Sequence, residues 1–303
     1  MNSLNPTQNR QTLIPPLLLP LIASALFAGS FVAGKYTTAD LQPLTTTLLR
    51  YLVTLAFLGG LVTLRGTHLQ VARSDWLPMA AMSLLGVVGY HYFFFTSLRY
   101  TAVTNSAIIN ATNPVITSLL AALLIGERLR SRNYLGGLLA FLGVVYLLVQ
   151  GQLQDLLGLQ INLGDGLMLC AVLCWVGYSL ILKRLAARYS GLALTFYAAL
   201  FGVFFLLILA IPEQPLTQIQ TISTASVWGV LYMGIGASGL GYLQYNLTVI
   251  ALGATRASCY IYSCVPLFVA LFSWLFFRHP LTAVMGISMV LIVAGLNLML
   301  DER

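Results

Sequence analysis

Charged residues punctuate this chain at wide intervals, and the stretches between them are almost wholly apolar. Arg10 to Lys35, Asp75 to Arg99, Arg99 to Glu127, Arg132 to Asp155, Arg188 to Glu213, Arg256 to Arg278 and Arg278 to Asp301 each bracket a charge-free run. Each run is long enough for a membrane-crossing helix, which needs about 20 apolar residues. Three further spans complete the pattern. Residues 43–64 are interrupted only by Arg50, residues 164–183 end on Lys183-Arg184, and residues 226–250 follow the polar stretch "PEQPLTQIQTISTAS". The pattern predicts ten helices, at 16–34, 43–64, 76–98, 103–125, 133–150, 164–183, 191–211, 226–250, 255–277 and 282–300. Every connection is short, so no soluble domain is expected.

The chain is written twice. At an offset of 152, Trp76 falls on Trp228, Gly89-Tyr90 on Gly241-Tyr242, Ser106 on Ser258, Pro114 on Pro266, Leu129 on Leu281 and Gly143 on Gly295. At an offset of 148, Phe27 falls on Trp175, Gly29 on Gly177, Lys35 on Lys183 and Pro43 on Gly191. Residues 1–150 and 151–303 therefore read as two units of five helices. Because five is odd, the second unit enters the membrane from the side opposite to the first. The expected fold class is an all-α integral membrane protein of ten transmembrane helices in two inverted five-helix repeats. Secondary transporters commonly have this architecture, with a site near the midplane where the halves meet; a duplicated bundle serving only as a scaffold is the alternative. Pro114 and Pro266 sit mid-span, where each removes a backbone hydrogen bond and bends its helix. Such breaks survive in lipid only where protein or a wet cavity satisfies the freed carbonyls. Both prolines are thus expected as interior hinges.

Composition agrees: 59% of residues are hydrophobic, 8% are charged and mean hydropathy is +0.88, against about 25% charged in soluble domains. Orientation follows from Lys and Arg. With a cytoplasmic N-terminus, Arg10, Arg65, Arg73, Arg128, Arg130, Arg132, Lys183, Arg184, Arg188, Arg256 and Arg303 lie inside, and only Lys35, Arg99 and Arg278 lie outside. Both termini are expected in the cytoplasm. The net charge of +7 is then chiefly a topology signal, and a nucleic-acid partner is not expected. "LIPPLLLPLIASA" has the look of a signal peptide, but the repeat argues that this span is retained. Cys170, Cys174, Cys259 and Cys264 lie within spans, form no CxxC and read as small buried hydrophobes.

The segments "FAGSFVAGK" in the first span, "TNPVITSLLAALLIGERL" closing the fourth and "CVPLFVALFSWLFFRHPL" closing the ninth resemble the ten-helix EamA-type transporters of the drug/metabolite transporter superfamily. The resemblance covers essentially the whole chain. It implies export of small organic solutes (amino acids, nucleobase-like or aromatic metabolites, toxic compounds) across the bacterial inner membrane, usually without ATP hydrolysis. Two positions depart from the family pattern. The usual Trp-Gly of the first span is Phe27-Ala28-Gly29, although Trp175 keeps the aromatic in the sixth, and the Gly-Glu ending the ninth is Arg278-His279. Glu127 and His279 accordingly read as helix-end residues rather than ligands.

Candidate binding residues follow from polar positions inside apolar spans. Ser106, Asn110, Asn113 and Thr117 are spaced i, i+4, i+7, i+11 along one face of the fourth helix. They either line a transport cavity or bond across a helix interface. Tyr90, His91 and Tyr92 in the third span, Trp175 and Tyr178 in the sixth, Ser238, Tyr242 and Tyr245 in the eighth (flanked by Gln244 and Asn246), and Tyr260 and Tyr262 in the ninth supply aromatic rings with polar edges. Such rings suit amphipathic substrates. Arg50, the one charge well inside a span, either holds a substrate carboxylate or snorkels to the outer interface. His91 either takes up a proton during a cycle, which would couple transport to protons, or is hydrogen-bonded structure.

No complete Gly-x-x-x-x-Gly-Lys-Ser/Thr motif is present, since the one matching string, Gly29 to Lys35, lies inside the first span and is followed by Tyr36, and no Asp or Glu lies in the middle of a span. Transport driven by ATP or by carboxylate proton exchange therefore has no candidate residues, and no cofactor is expected. His68, His91 and His279 are scattered and no HExxH occurs, which argues against the rival class of polytopic membrane enzymes. The expected partners are a small-molecule substrate and membrane lipid. Glycine-rich helix five ("YLGGLLAFLG") and helix ten also permit a homodimer.

Overall fold

The computed structural model describes residues 18–66, 69–125, 131–148, 162–278 and 282–300. Glu127, Leu129, His279, Leu281 and His68, named above, lie outside them. Helices occupy each of the ten intervals that the hydropathy pattern predicts, and no strand occurs among the described residues. Among the described residues, six helices are long and apolar enough to cross a membrane: Leu18–Asp40, Pro43–Arg65, Arg73–Tyr100, Leu163–Leu185, Gly191–Leu209 and Arg256–Phe277.

The first two helices are α1 (Leu18–Asp40) and α2 (Pro43–Arg65). The third span starts as α3 (Trp76–Ser83), passes through a π-helical segment at Leu84–Gly89 and continues as α4 (Tyr90–Tyr100). The fourth is split into α5 (Val103–Asn110) and α6 (Asn113–Ile125) by a turn at Ala111 and Thr112. Then come α7 (Ser131–Leu148), α8 (Leu163–Leu185) and α9 (Gly191–Leu209). The short amphipathic α10 (Pro215–Gln220) precedes the eighth span. That span is α11 (Thr224–Tyr232), a second π-helical segment at Met233–Gly241, and α12 (Tyr242–Leu252). The chain closes with α13 (Ala254–Phe277) and α14 (Ala283–Leu300).

The burial pattern is that of a lipid solvent. Leu123, Phe141, Phe204, Leu207, Ile208 and Val290 face outward, whereas Thr45, Thr46, Thr47, Thr54, Asn110 and Asn246 are buried. Many interior hydroxyls are satisfied within their own helix, as Thr47 donates to the Pro43 carbonyl at 2.7 Å and Thr54 to that of Arg50 at 2.9 Å. Helices of the two halves interlock: α1 packs on α13 and on the eighth span, α4 on α8, α2 on α9, and α7 on α14.

The two matched prolines do different things. Pro114 is the second residue of α6, in a first turn where its missing N–H costs little, and the break lies just before it. Pro266 sits inside an uninterrupted α13. In both cases the carbonyl four residues earlier, Asn110 or Tyr262, loses its helical donor.

Candidate substrate cavity

Seven helices converge on a central cavity with about 20 Å³ of free volume, room for about one water molecule. Phe27, Ser30 and Phe31 come from α1, Arg50 from α2, Tyr90, His91 and Phe94 from α4, and Asn110 from the end of α5. Trp175 of α8, Tyr242 of α12 and Tyr262 of α13 close the other wall. The cavity lies between the two sequence halves, in a closed arrangement.

Arg50 is turned into the protein and not toward an interface. It is 2% exposed; its Nε donates to Ser238 Oγ at 2.5 Å and its NH1 to Ser30 Oγ at 3.0 Å. Neither partner is anionic. Every described carboxylate is engaged elsewhere: Asp40 by Ser223 and Ser226, Asp75 by Arg188 and Tyr189, Asp165 by Thr101, and Glu213 by the first turn of α2. Among the described residues, then, the guanidinium has no counter-ion. A buried charge of this kind costs a few kcal/mol in a membrane unless something compensates it.

Three more polar groups on the wall lack partners. The His91 Nδ1 lies 2.8 Å from the Val87 carbonyl, which can only accept, so Nδ1 carries the proton and Nε2 is a bare acceptor. That Nε2, the Asn110 Oδ1 and the Trp175 Nε1 are buried without a hydrogen bond. The π-helical segment explains part of this geometry. It presents the Val87 carbonyl to His91, and the neighbouring Gly86 carbonyl accepts from the Tyr242 hydroxyl of the other half at 3.0 Å. π-Segments of this kind recur at functional sites.

Aromatic rings build the remainder. Trp175 lies 5.0 Å from the ring centres of Tyr178, Tyr242 and Tyr245 and 5.1 Å from that of Tyr90, with Phe27 edge-on at 5.9 Å. Tyr178 and Tyr245 form a second layer: Tyr178 donates to Asn246 Oδ1 at 2.9 Å, and the Tyr245 hydroxyl meets Ser179 at 2.8 Å. Of the fourth-helix stripe, only Asn110 lines the cavity. Ser106 lies 3.4 Å from Ser97 of α4, and Asn113 accepts from Thr117 at 3.2 Å with its amide nitrogen unpartnered. Tyr92 and Tyr260 point outward, 40% and 39% exposed. Sequence reasoning passed over Ser30, Phe31 and Phe94. Their signal was spacing: Phe27, Ser30 and Phe31 follow i, i+3, i+4, and Phe94 follows Tyr90 by four.

Comparison with known proteins agrees with this architecture. The sequence profile of the EamA-like transporter family matches residues 14–149 and again 162–300. The uncharacterized transporter YyaM of Bacillus subtilis (strain 168) is 26% identical over 282 residues, covering 92% of each chain. The "probable terminal-alkyne amino-acid exporter" of Streptantibioticus cattleyicolor is 28% identical over 217 residues, 71% of this chain and 70% of that one. The aromatic amino acid exporter YddG of Ancylobacter novellus is 29% identical over 128 residues, 41% of this chain and 42% of its own. A solved crystal structure shares the fold with a TM-score of 0.69 at 20% identity, over 94% of this chain and 99% of its own. The doubled family match over nearly the whole chain makes this protein a member of the EamA-like transporter family, a multi-pass membrane transporter of small organic solutes rather than an enzyme.

Proposed function

We propose that the protein is a secondary transporter of the bacterial inner membrane that exports small organic metabolites carrying a carboxylate, amino acids and other aromatic or amphipathic solutes among them. It works by alternating access around the central cavity, without ATP hydrolysis. The observation that carries this reading is Arg50, a buried guanidinium that has no counter-ion among the described residues, in a ring-lined cavity between the halves. A substrate carboxylate compensates its charge, and the surrounding rings take the apolar body.

The proposed frame is ten spans in two inverted repeats, 1–150 and 151–303, with both termini cytoplasmic. The helix pairings support it. Exchanging each span for its counterpart turns the packing of α1 on α13 into that of α8 on α5 and α6, and the packing of α4 on α8 into that of α12 on α1, and all of these occur. Purified protein in liposomes should show counterflow of labelled amino acids, with Arg50→Lys weakening anionic and zwitterionic substrates because a planar fork becomes a point charge. Single cysteines at Ala187 and Thr217, both exposed, should react from the cytoplasm and from outside respectively. Absence of counterflow across the panel, or labelling of both cysteines from one side, overturns the proposal.

A further inference from the structure

Arg50 is one pole of the cavity, and two of the three unpartnered groups on its wall, all but the donor Trp175 Nε1, define a second pole of opposite character. Asn110 Oδ1 and His91 Nε2 are both acceptors, both buried, and both without a hydrogen bond. The hydrogen bond from Nδ1 to Val87 fixes the His91 tautomer, so Nε2 offers a lone pair and no proton. Among the described residues, the cavity wall thus carries a cation without a counter-ion, one unpartnered donor in Trp175 Nε1 and two unpartnered acceptors. It is complementary to a ligand bearing an anion, which takes the donors, and a multiple donor, which takes the acceptors.

From this we infer that Asn110 and His91 form an ammonium subsite, so that the transporter reads its substrates as zwitterions: carboxylate on Arg50, primary ammonium on Asn110 Oδ1 and His91 Nε2. The inference rests on the reading of Arg50 as the carboxylate anchor. An ammonium group has three donors and no acceptor, which matches a wall of acceptors; a hydroxyl supplies one donor and leaves its own lone pairs unserved there. The rings of Tyr90, Tyr242 and Trp175 around these groups add faces that attract a cation. Charge sets an order among ligands. A zwitterion meets both poles and brings no net charge. A carboxylate without the ammonium meets Arg50 but leaves the acceptors unpaired. An amine without the carboxylate places a second cation beside Arg50. Asn110 and His91 thereby become specificity-determining residues: they separate an amino acid from its deaminated analogue, whereas Arg50 separates it from the decarboxylated one.

The test uses the full-length protein in liposomes and two matched triplets: phenylalanine, 3-phenylpropionate and phenethylamine, then leucine, 4-methylpentanoate and isoamylamine. The expected result for the unaltered protein is amino-acid counterflow at least tenfold more efficient than that of the deaminated acid, with no amine transport. Asn110→Leu and His91→Phe should each lower amino-acid efficiency about tenfold while leaving the deaminated acid unchanged, which collapses the ratio. Arg50→Lys should lower both acids together and preserve it. Size-exclusion profile and melting temperature in detergent identify any variant that has lost its fold, and Asn110→Thr, a smaller change that keeps an oxygen acceptor, should retain part of the preference. Equal efficiency for amino acid and deaminated acid in the unaltered protein, or a ratio that neither variant changes, overturns the ammonium subsite and leaves the carrier proposal standing. Failure of all six compounds overturns both.

Discussion

Gly234 sits where the second π-segment presses against α2. A Cβ built there would lie 2.8 Å from the Arg50 carbonyl oxygen and 2.6 Å from Val53 Cγ1. The close approach serves two bonds: Thr54 donates to the Gly234 carbonyl at 2.9 Å, and Arg50 Nε reaches Ser238 on the next turn of the same segment. Gly234→Ala should therefore push the segment away from α2. Overpacking of this kind costs about 1–3 kcal/mol, expected as a lower melting temperature in detergent. Because Ser238 moves with the segment, KM for carboxylate substrates should rise more than kcat falls. Gly59→Ala, on the same helix as Arg50 with nothing within 4 Å of its added methyl, is the matched control and should change neither. Equal effects of the two substitutions would remove Arg50's dependence on that close approach.

At the scale of the element, the two π-segments decide which side chains reach the cavity. They occupy matched places, Leu84–Gly89 and Met233–Gly241, each ending immediately before a cavity tyrosine, Tyr90 or Tyr242. A π-segment holds one residue more than the α-helix it interrupts, so it rotates everything after it by about a quarter turn or more. Deleting Val88 should close the wide turn into an α-turn, which keeps Tyr90, His91 and Phe94 on the cavity side but takes the Val87 carbonyl from His91 and the Gly86 carbonyl from the Tyr242 hydroxyl. Membrane insertion should survive, since the span keeps its length and apolarity, while counterflow falls to background. Normal transport by the deletion variant would deny the segment any role in the site. None of this was legible in the sequence. Hydropathy located the helices because lipid imposes a length and a polarity on every crossing, and repeat offsets paired Pro114 with Pro266 and Tyr90 with Tyr242. The pattern does not distinguish a π-turn from an α-turn, because both are apolar and continuous. For the same reason the i, i+4, i+7, i+11 spacing grouped Ser106, Asn113 and Thr117 with Asn110. That spacing assumes an unbroken helix, whereas the turn at Ala111 and Thr112 separates the pieces. Arg50, Trp175 and Tyr242 were legible because a charge or a polar-edged ring within a span must find a partner inside the protein.

At the scale of the whole molecule, two polar latches at positions that the repeat offsets relate join the halves, and in the proposed alternating access each closes one end of the cavity. Asp40, at the end of α1, accepts from Ser223 N at 3.0 Å, Ser223 Oγ at 2.5 Å and Ser226 Oγ at 2.6 Å at the start of the eighth span. An offset of 148 carries Asp40 onto Arg188 and an offset of 152 carries Ser74 onto Ser226. Next to Ser74, Asp75 accepts from Arg188 NH1 at 3.0 Å and from Tyr189 at 2.6 Å, and that bond raises the Tyr189 phenol pKa above its usual range, so it stays a donor. The same pair of joints is thus latched twice, and the proposed alternating access requires the two latches to open in turn. The latches are unequal. In one, Asp75 is 8% exposed but Arg188 is 65% exposed, so its side of the pair is solvent-screened and contributes roughly 0–1 kcal/mol, with the Tyr189 bond as one further charge-assisted hydrogen bond. The Asp40 end holds a carboxylate with three donors, and beside it Glu213 accepts from Leu44 N at 3.1 Å and Thr45 N at 2.7 Å, capping the first turn of α2. Hydrogen bonds to a charged group contribute about 1.5–3 kcal/mol. With Ser30→Cys as a reporter inside the cavity, Asp75→Asn should raise labelling from the cytoplasm by less than about fivefold. Asp40→Asn should raise labelling from outside by tenfold or more, since about 1.4 kcal/mol is a factor of ten in an equilibrium. Increased labelling from the same side for both variants would mean that the two joints move together, and the alternation between them would have to be abandoned.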